Sequence, residues 1–377
     1  MPINFNSKPG IIFGAGKLDI LGDELNKNKR ERALIVTDSG LKAVGHPERV
    51  KNILLKNNIK AEVYADVRSN PDRESVEGLL RLANDFSPEV FIAVGGGSVL
   101  DTAKAAGIWY TNQQEDLFDL ENPEKRKEVM APVINVPTTA GTGSEVSSWA
   151  VITDHDIPEK ISIGGEKMAP SLAIVDPEMT LSLPPKLTLW TGLDAFTHAL
   201  EAYISKNANS YIEDISLLSL QKIARFLPAA VEEGSDIQAR TGVMLGSMIA
   251  GLAMENAGLG LIHGISHQIS AFYDYPHGLT NAVLLPAVLQ YNYQGCKNKI
   301  DKFLALEGYE GDIKSFINDF YQSINFEEEL GIKTEDIPEI TEKAINNINT
   351  RSNPVIPDRE DIKDILLRSF KKNFELE

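Results

Sequence analysis

The residues Glu89–Lys104, EVFIAVGGGSVLDTAK, are the most informative about the fold class. Its first residues, EVFIAV, predict a strand buried on both faces, as in a parallel sheet covered by helices. Gly95–Ser98 follow, and Ser98–Trp109 has helical periodicity, with Ser98 placed to cap the helix. A glycine turn before a helix suits an anion, because backbone N–H groups and the helix dipole both favour phosphate. The common G-x-G-x-x-G fingerprint is absent, so the turn alone is equally compatible with a connection that binds nothing.

Short strand-like runs surround this stretch and alternate with helical patterns. Asp72 is a plausible N-cap for a helix over 73–86, because Asn70-Pro71 disfavours helix just upstream. The alternation predicts a Rossmann-like, doubly wound α/β domain over 1–183. The predicted strands are Ala33–Asp38, Ala61–Val67, Glu89–Val94, Pro132–Pro137, Ala150–Asp154 and Leu172–Asp176.

The sequence pattern changes at Pro184-Pro185. After these residues β-branched runs are scarce and helical periodicity dominates. The sequence therefore predicts an all-α domain over 184–377. The region 297–377 is also mostly helical in pattern. The clearest predicted helices are Leu189–Ser205, Tyr211–Leu227, Ile237–Glu255 and Leu261–Phe272.

The composition of the chain limits the classes of binding partner, the kinds of covalent cross-link and the cellular location that we expect. Lys and Arg total 37 against 54 Asp and Glu, a formal net charge of −17, which disfavours nucleic acid and anionic lipid as partners. One cysteine, Cys296, excludes an internal disulfide. The start MPINFNSKPG has no signal-peptide pattern, and no apolar run is long enough for a membrane span. We expect a cytoplasmic protein.

A second polar loop, Pro137–Glu145 (PTTAGTGSE), also follows a predicted strand. Ligands of open α/β sheets bind at the carboxyl ends of the strands, so two such loops indicate a dinucleotide site. Asp38 ends another strand, where a carboxylate accepts hydrogen bonds from ribose hydroxyls and repels a 2′-phosphate. This favours NAD(H) over NADP, although an Asp before Ser-Gly is also an ordinary turn residue.

Four of the six histidines lie between 198 and 277. Asp194 and His198 stand four apart in a predicted helix, so both side chains reach the same ion. His263 and His267 repeat that spacing, and His277 lies in a turn-like break. One carboxylate with three imidazoles suits Fe(II), Zn(II) or Ni(II). His267 is either a fourth imidazole ligand, with Asp194 outside the coordination sphere, or a nearby proton relay; we prefer the relay.

These motifs resemble the iron-containing (group III) alcohol dehydrogenase family. The resemblance spans roughly residues 10 to 295, and its motifs are long and recur in both halves. After that region only Asn349–Pro354 (NTRSNP) hints at the family pattern. The matching motifs are Gly95–Lys104 (GGGSVLDTAK), Pro137–Glu145 (PTTAGTGSE), Gly192–Tyr203 (GLDAFTHALEAY), Gly260–Gln268 (GLIHGISHQ) and Asp274–Gly278 (DYPHG).

The resemblance implies an active site in the cleft between the two domains. It implies one divalent metal, preferably Fe(II), held by Asp194, His198, His263 and His277, with His267 as the catalytic histidine near nicotinamide and substrate. It also implies that the following residues lie near NAD(H): Asp38, Asn70, Gly96, Gly97, Ser98, Asp101, Thr138, Thr139, Thr142 and Lys160. Asp101 and Lys104 are alternatively a helix-surface pair. The acids Glu145 and Glu201 are interpreted as structural.

The implied activity is that of a metal-dependent NAD(H) alcohol dehydrogenase or aldehyde reductase. Its expected substrate is a small primary alcohol, diol or aldehyde, and its expected assembly is a homo-oligomer. Met254 and Trp149 depart from the usual family residues and would alter the pocket if both line it. The main alternative is a glycerol dehydrogenase-like or dehydroquinate synthase-like enzyme of the same fold. A nucleotide-independent metal hydrolase and a non-catalytic binding module explain fewer of the motifs.

Overall fold

The computed structural model describes residue 3, residues 5–155 and residues 159–372. The chain forms two compact units. The α/β unit is Ser7–Leu183, and the helical unit is Pro184–Glu377 together with the N-terminal residues through Asn6. Asn6 is tied to the helical unit by hydrogen bonds with Asn256, and Phe5 packs edge-on against Tyr211.

The strands and helices of the α/β unit alternate, as the sequence predicts. The strands are β1 (Gly10–Phe13), β2 (Arg32–Val36), β3 (Lys60–Tyr64), β4 (Val90–Gly95), β5 (Val133–Pro137), β6 (Trp149–Asp154), β7 (Glu159–Gly164) and β8 (Leu172–Val175). The α-helices are α1 (Leu21–Lys27), α2 (Ser39–Ala43), α3 (His46–Lys56), α4 (Arg73–Phe86) and α5 (Gly97–Thr111).

Six of these strands form one parallel sheet in the order β1-β8-β5-β4-β2-β3. Alternate side chains of each strand enter different cores, because successive residues of a strand point to opposite faces. Leu34 and Phe91 belong to one core, whereas Ile35 and Ile92 belong to the other. Two covered faces explain the continuous apolar runs in the sequence.

One predicted strand does not join that sheet. Ala150–Asp154 lies within β6, which pairs antiparallel with β7 in a separate two-stranded sheet. The run AVITD has the composition of a buried strand, and composition does not encode its pairing partner. Two strands of this unit, β1 and β7, were not predicted from the sequence.

The predicted helix over 73–86 is confirmed as α4, and the Asp72 side chain caps it by accepting a hydrogen bond from the Ser75 N–H at 2.9 Å. The proposed cap of α5 is wrong. Gly96 is the N-cap residue, and Ser98 lies inside the helix. The Ser98 hydroxyl instead donates to the carbonyl of Ser69.

The helical unit contains eight α-helices in the described part of the chain, with one short parallel strand pair. The helices are α6 (Pro185–Ile204), α7 (Ser210–Glu232), α8 (Ile237–Ala257), α9 (Leu261–Tyr273), α10 (His277–Leu306), α11 (Ile313–Ser323), α12 (Ile337–Asn346) and α13 (Arg359–Ser369). The strands are β9 (Gly331–Ile332) and β10 (Lys371–Lys372). The long helix α10 is bent at Cys296, whose backbone is not helical.

No single helix in the described ranges is long and apolar enough to cross a bilayer. In those ranges only α8 and α9 taken together, which meet at a bend of 102°, have the length and apolar composition of a membrane span.

Candidate active site

The helical unit brings four predicted ligands together. Asp194, His198, His263 and His277 each offer one ligand atom, and these four atoms all lie within 4.8 Å of one another. We call these residues the Asp/His cluster. The Asp194 Oδ1 atom is 3.7 Å from His198 Nε2, 3.8 Å from His263 Nε2 and 3.7 Å from His277 Nε2. All three imidazoles therefore turn the same ring nitrogen toward one carboxylate oxygen.

Three helices position these side chains. Asp194 and His198 are one turn apart on α6, a helix buried around most of its surface. His263 lies in the first turn of α9, and its ring stacks on that of His198 at 4.7 Å. His277 is the first residue of α10, after the left-handed backbone of Asp274 breaks the chain direction. The predicted turn-like break is thus the connection between α9 and α10.

Close helix contact fixes the position of His277. A Cβ atom on Gly278 would lie 2.2 Å from the carbonyl oxygen of Trp190 on α6 and 3.2 Å from the Asp194 Cβ atom. Only a glycine lets the two backbones approach this closely. The residue beside His277 therefore sets the spacing between α6 and α10, and with it the spacing between His277 and Asp194.

His267 lies beside the Asp/His cluster but is not one of its four members. Its ring centroid is 5.2 Å from that of His277 and 5.8 Å from that of His263. The residue is only partly buried, whereas His198 and His263 are buried. The structure thus places Asp194 in the cluster and His267 next to it, and the relay role of His267 stays a prediction.

The carboxylate of Glu201 makes contacts that the sequence analysis missed. It accepts hydrogen bonds from Gly260 N–H at 2.9 Å and Ile262 N–H at 2.6 Å, and it lies 2.6 Å from His263 Nδ1. The sequence signal was available, since Glu201 stands three residues after His198 on the same helix. The interpretation of Glu201 as structural did not include its contact with His263.

Burial shifts the pKa of both partners in this contact. Burial is the main cause that lowers the pKa of His263 to about 3, aided by His198 and opposed by Asp194. Burial also raises the pKa of Glu201 to about 7, opposed by the N–H groups that it accepts. The His263 imidazole is therefore neutral at neutral pH, which is the form that binds metal ions.

Asn281, one turn after His277, was also missed. Its Nδ2 atom lies 2.7 Å from Asp194 Oδ1, 3.1 Å from His263 Nε2 and 3.2 Å from His277 Nε2. The side chain is buried, and within the described residues its Oδ1 atom has no hydrogen-bond partner. Its spacing of four residues from His277 in an expected helix was the only signal in the sequence.

In the α/β unit, the two polar loops meet at neighbouring strand ends. Gly95 of β4 pairs with Pro137 of β5, and Thr138 N–H donates to the Gly95 carbonyl at 3.0 Å. A Cβ atom on Gly96 would lie 3.2 Å from the Thr139 Cγ2 atom. A Cβ atom on Gly97 would lie 2.7 Å from the Thr142 Cγ2 atom. The glycine turn and the second loop therefore form one continuous edge.

Asp101 and Lys104 are not a surface pair. The Lys104 side chain is fully buried, and its ammonium contacts Asp101 Oδ1 at 3.2 Å and Ser144 Oγ at 2.6 Å. The second oxygen of Asp101 accepts from Val151 N–H at 3.0 Å. This buried network ties α5 to the Pro137–Glu145 loop and to β6.

The remaining predicted cofactor residues have the following positions. Asp38 follows β2 and caps α2 by accepting from Leu41 N–H at 2.9 Å, so it has a structural role whatever else it binds. Asn70 lies in the loop before α4, next to the Ser69 carbonyl that accepts from Ser98. Lys160 pairs with Thr153 in the β6–β7 hairpin. Residues 156–158 of the adjoining loop lie outside the described residues.

Comparisons with known proteins agree with this geometry. Residues 9–177 match the model of the iron-containing alcohol dehydrogenase family, and residues 188–370 match the model of that family's C-terminal region. The chain belongs to the iron-containing alcohol dehydrogenase family. It is therefore an oxidoreductase of the iron-type alcohol dehydrogenase class, and the resemblance seen in its sequence motifs is confirmed.

Relatives of the family match over nearly the whole chain. Alcohol dehydrogenase 4 of Saccharomyces cerevisiae (strain ATCC 204508 / S288c) is 33% identical, over 97% of this chain and 98% of its own length. The NAD-dependent methanol dehydrogenase of Bacillus methanolicus is 32% identical, over 96% of this chain and 98% of its own length. The crystal structure of a 1,3-propanediol oxidoreductase has a TM-score of 0.93 at 32% identity, covering 98% of this chain and all of that one.

The two residues that depart from the family pattern, and one residue of the segment that hints at it, have the following surroundings. Met254 is partly buried and packs with Phe5 and Ile215 against a small apolar cluster in the helical unit. Trp149, at the start of β6, is 43% exposed, and its ring covers Gly164 on β7. Asn353, in the segment NTRSNP, is fully buried and accepts from Leu261 N–H at the start of α9.

Proposed function

We propose that this chain is an NAD(H)-dependent alcohol dehydrogenase or aldehyde reductase whose divalent metal is held by the Asp/His cluster. The observation that carries the proposal is the convergence of four ligand atoms from three helices within 4.8 Å. Fe(II) is the preferred ion, in line with the family name. Zn(II) and Ni(II) suit the same carboxylate and imidazole ligands.

The cluster fits a cation on two physical grounds. Four ligands with bonds of about 2.1 Å in a tetrahedron lie about 3.4 Å apart, close to the observed spacing of 3.7 to 3.8 Å between Asp194 Oδ1 and the imidazoles. The Asn281 amide nitrogen, with its two hydrogens, faces three acceptor atoms. A cation satisfies the lone pairs that the amide cannot.

A divalent cation bound here supplies Lewis acidity toward an alcohol or carbonyl oxygen. The protein contributes the other requirements of the reaction. Asp194, His198 and His263 are buried, which strengthens electrostatic interactions around the reacting oxygen. His267 is partly exposed and close to His277, so we assign it the transfer of the alcohol proton toward solvent.

The α/β unit is proposed to bind NAD(H). Gly96, Gly97 and Ser98 open a 15-residue helix, where N–H groups and the helix dipole favour a pyrophosphate. Thr138, Thr139 and Thr142 border the same edge. Asp38, Asn70, Asp101 and Lys160 complete the proposed set, with Asp101 acting through Ser144 and Val151. The name of the Bacillus methanolicus relative includes the same cofactor.

We assign nucleotide binding to the α/β unit, predicted from the sequence as 1–183 and bounded as Ser7–Leu183 in the structure, and metal binding to the helical unit, predicted as 184–377. The proposed substrates are small primary alcohols, diols and the corresponding aldehydes. Relatives named for methanol and 1,3-propanediol support this class. We further propose a cytoplasmic homo-oligomer that binds neither nucleic acid nor membrane, in keeping with the net charge of −17.

Anaerobic reconstitution tests the proposal. Metal-stripped protein is given Fe(II), Zn(II) or Ni(II), and NADH absorbance is followed over a panel of short alcohols, diols and aldehydes. We expect NADH formation that requires metal. The variant His263→Ala should lose both bound metal and turnover while still binding NAD+. The matched control is His46→Ala, which removes a histidine of the α/β unit that bonds to Ser182.

Two outcomes would contradict the proposal. Full activity of His263→Ala without bound metal would remove the cluster from the reaction. Binding of metal and NAD+ without net NADH formation on any substrate of the panel would favour a dehydroquinate synthase-like reaction, in which NAD is used only transiently.

A further inference from the structure

Glu201 occupies a position between a metal-ligand histidine and the start of a helix. Its Oε2 atom faces both His263 Nδ1 at 2.6 Å and Gly260 N–H at 2.9 Å, and its Oε1 atom accepts from Ile262 N–H at 2.6 Å. The side chain is 1% exposed, so water does not compete for these contacts. One carboxylate thus engages His263 through both its ring and the backbone just before it.

We propose that Glu201 is a positioning residue that holds His263 as the Nδ1–H tautomer and aims its Nε2 lone pair into the Asp/His cluster. In its ionised form Glu201 has no hydrogen to donate, so the ring nitrogen facing it carries the hydrogen. In neutral imidazole the other nitrogen is then unprotonated, as metal binding requires. Such carboxylate–histidine contacts tune metal sites in general. The inference rests on the proposed metal function.

Glu201→Gln is a sharp test, because the glutamine amide has nearly the same shape. If its NH2 group faces Ile262, two donors meet. If it faces Gly260 and His263, the ring is driven to accept at Nδ1 and to carry its hydrogen on Nε2. We expect the second tautomer to become populated. We also expect metal affinity to fall about 10- to 100-fold, as for other partners of metal-binding histidines.

The matched control is Asn353→Ala. Asn353 accepts from Leu261 N–H, between the two backbone N–H groups held by Glu201, without any hydrogen bond to the His263 ring. A purely structural role of Glu201 at the start of α9 predicts similar effects in both variants. Our proposal predicts that Asn353→Ala keeps the wild-type tautomer and loses much less metal affinity.

The tautomer is read from long-range ¹H–¹⁵N spectra of metal-free protein with labelled histidine, and the His263 signal is assigned by its loss in His263→Ala. Metal affinity is measured by chelator competition. An Nε2–H tautomer in the wild type would overturn the proposal, even if Glu201→Gln does not fold. So would unchanged tautomer and affinity in a folded Glu201→Gln. Failure of the wild type to bind metal would instead refute the proposed function.

Discussion

Glu145 and Glu201 are two carboxyl groups that the protein encloses, and their surroundings give them different roles. Glu201 accepts from two backbone N–H groups and faces His263 Nδ1 beside the Asp/His cluster. Glu145 lies in the Pro137–Glu145 loop, where burial is the main cause that raises its pKa to about 7 and Lys104 opposes it. Glu201 therefore accepts hydrogen bonds at the start of α9, whereas the charge of Glu145 is costly to bury in its loop.

The raised pKa of Glu145 makes the stability of the α/β unit depend on pH. Below pH 4.5, the ordinary value, the carboxyl is protonated in both folded and unfolded chains. Between pH 4.5 and about 7, the unfolded chain releases a proton that the folded one retains, so rising pH lowers the free energy of unfolding. The limit of this loss is about 3 kcal/mol, at 1.36 kcal/mol for each pKa unit.

We therefore expect Glu145→Gln to become more stable relative to the wild type as pH rises through that window. Denaturant unfolding of both proteins without ligands, at pH values from 5 to 8, measures the difference. An exposed carboxyl serves as the control, and Glu124→Gln should show no such trend. A constant difference between wild type and Glu145→Gln would mean that Glu145 ionises in the folded protein as easily as in the unfolded chain.

At the scale of elements, the Asp/His cluster depends on the contact between α6 and α10. Gly278 has the Trp190 carbonyl oxygen 2.2 Å from the position of a Cβ atom. This neighbour is backbone, so it cannot rotate away as a side chain would. A larger residue at position 278 must therefore push α6 and α10 apart, which increases the distance between His277 and Asp194.

We expect Gly278→Ala to lower metal affinity at least tenfold, because ligands displaced by an ångström no longer fit one ion. The measurement is chelator competition, accompanied by thermal unfolding without metal. Gly242→Ala is the matched control: its Cβ atom would collide with the Phe226 side chain, away from the cluster. It should lose stability with little loss of metal affinity. Equal metal affinities of the two variants would show that the α6–α10 spacing does not control the site.

At the scale of the whole molecule, metal and nucleotide are expected to stabilise different units. A ligand that binds only the folded state stabilises it by about 2.7 kcal/mol at a hundred times its dissociation constant. Zn(II) should therefore slow amide exchange in α6, α9 and the start of α10. NAD+ should slow exchange around the turn from β4 to α5 and in the Pro137–Glu145 loop.

Hydrogen exchange with mass spectrometry checks this expectation on the full chain, with each ligand added alone to metal-free protein. His263→Ala provides the control, because it should lose the protection by Zn(II) and keep the protection by NAD+. Protection by Zn(II) confined to Ser7–Leu183 would contradict the assignment of metal to the helical unit.

Features that depend on residues close together in the chain were predictable from the sequence. Buried strands appear as runs such as EVFIAV, the cap at Asp72 follows from Asn70-Pro71, and Asp194 and His198 share a helix face because they are four residues apart. The alternation of strands and helices around the glycine turn and the helical second half were also predictable, since periodicity and turn residues act locally.

Features that depend on residues distant in the sequence are set by tertiary packing. It placed β6 in a hairpin outside the parallel sheet, and it buried Lys104 beside Ser144. It also set Glu201 against His263 and Asn281 among the ligand atoms. Helix periodicity tells which face of α6 is buried but not which side chain of α9 it meets. That choice is made by packing between helices, through contacts such as the one at Gly278 that the local pattern does not encode.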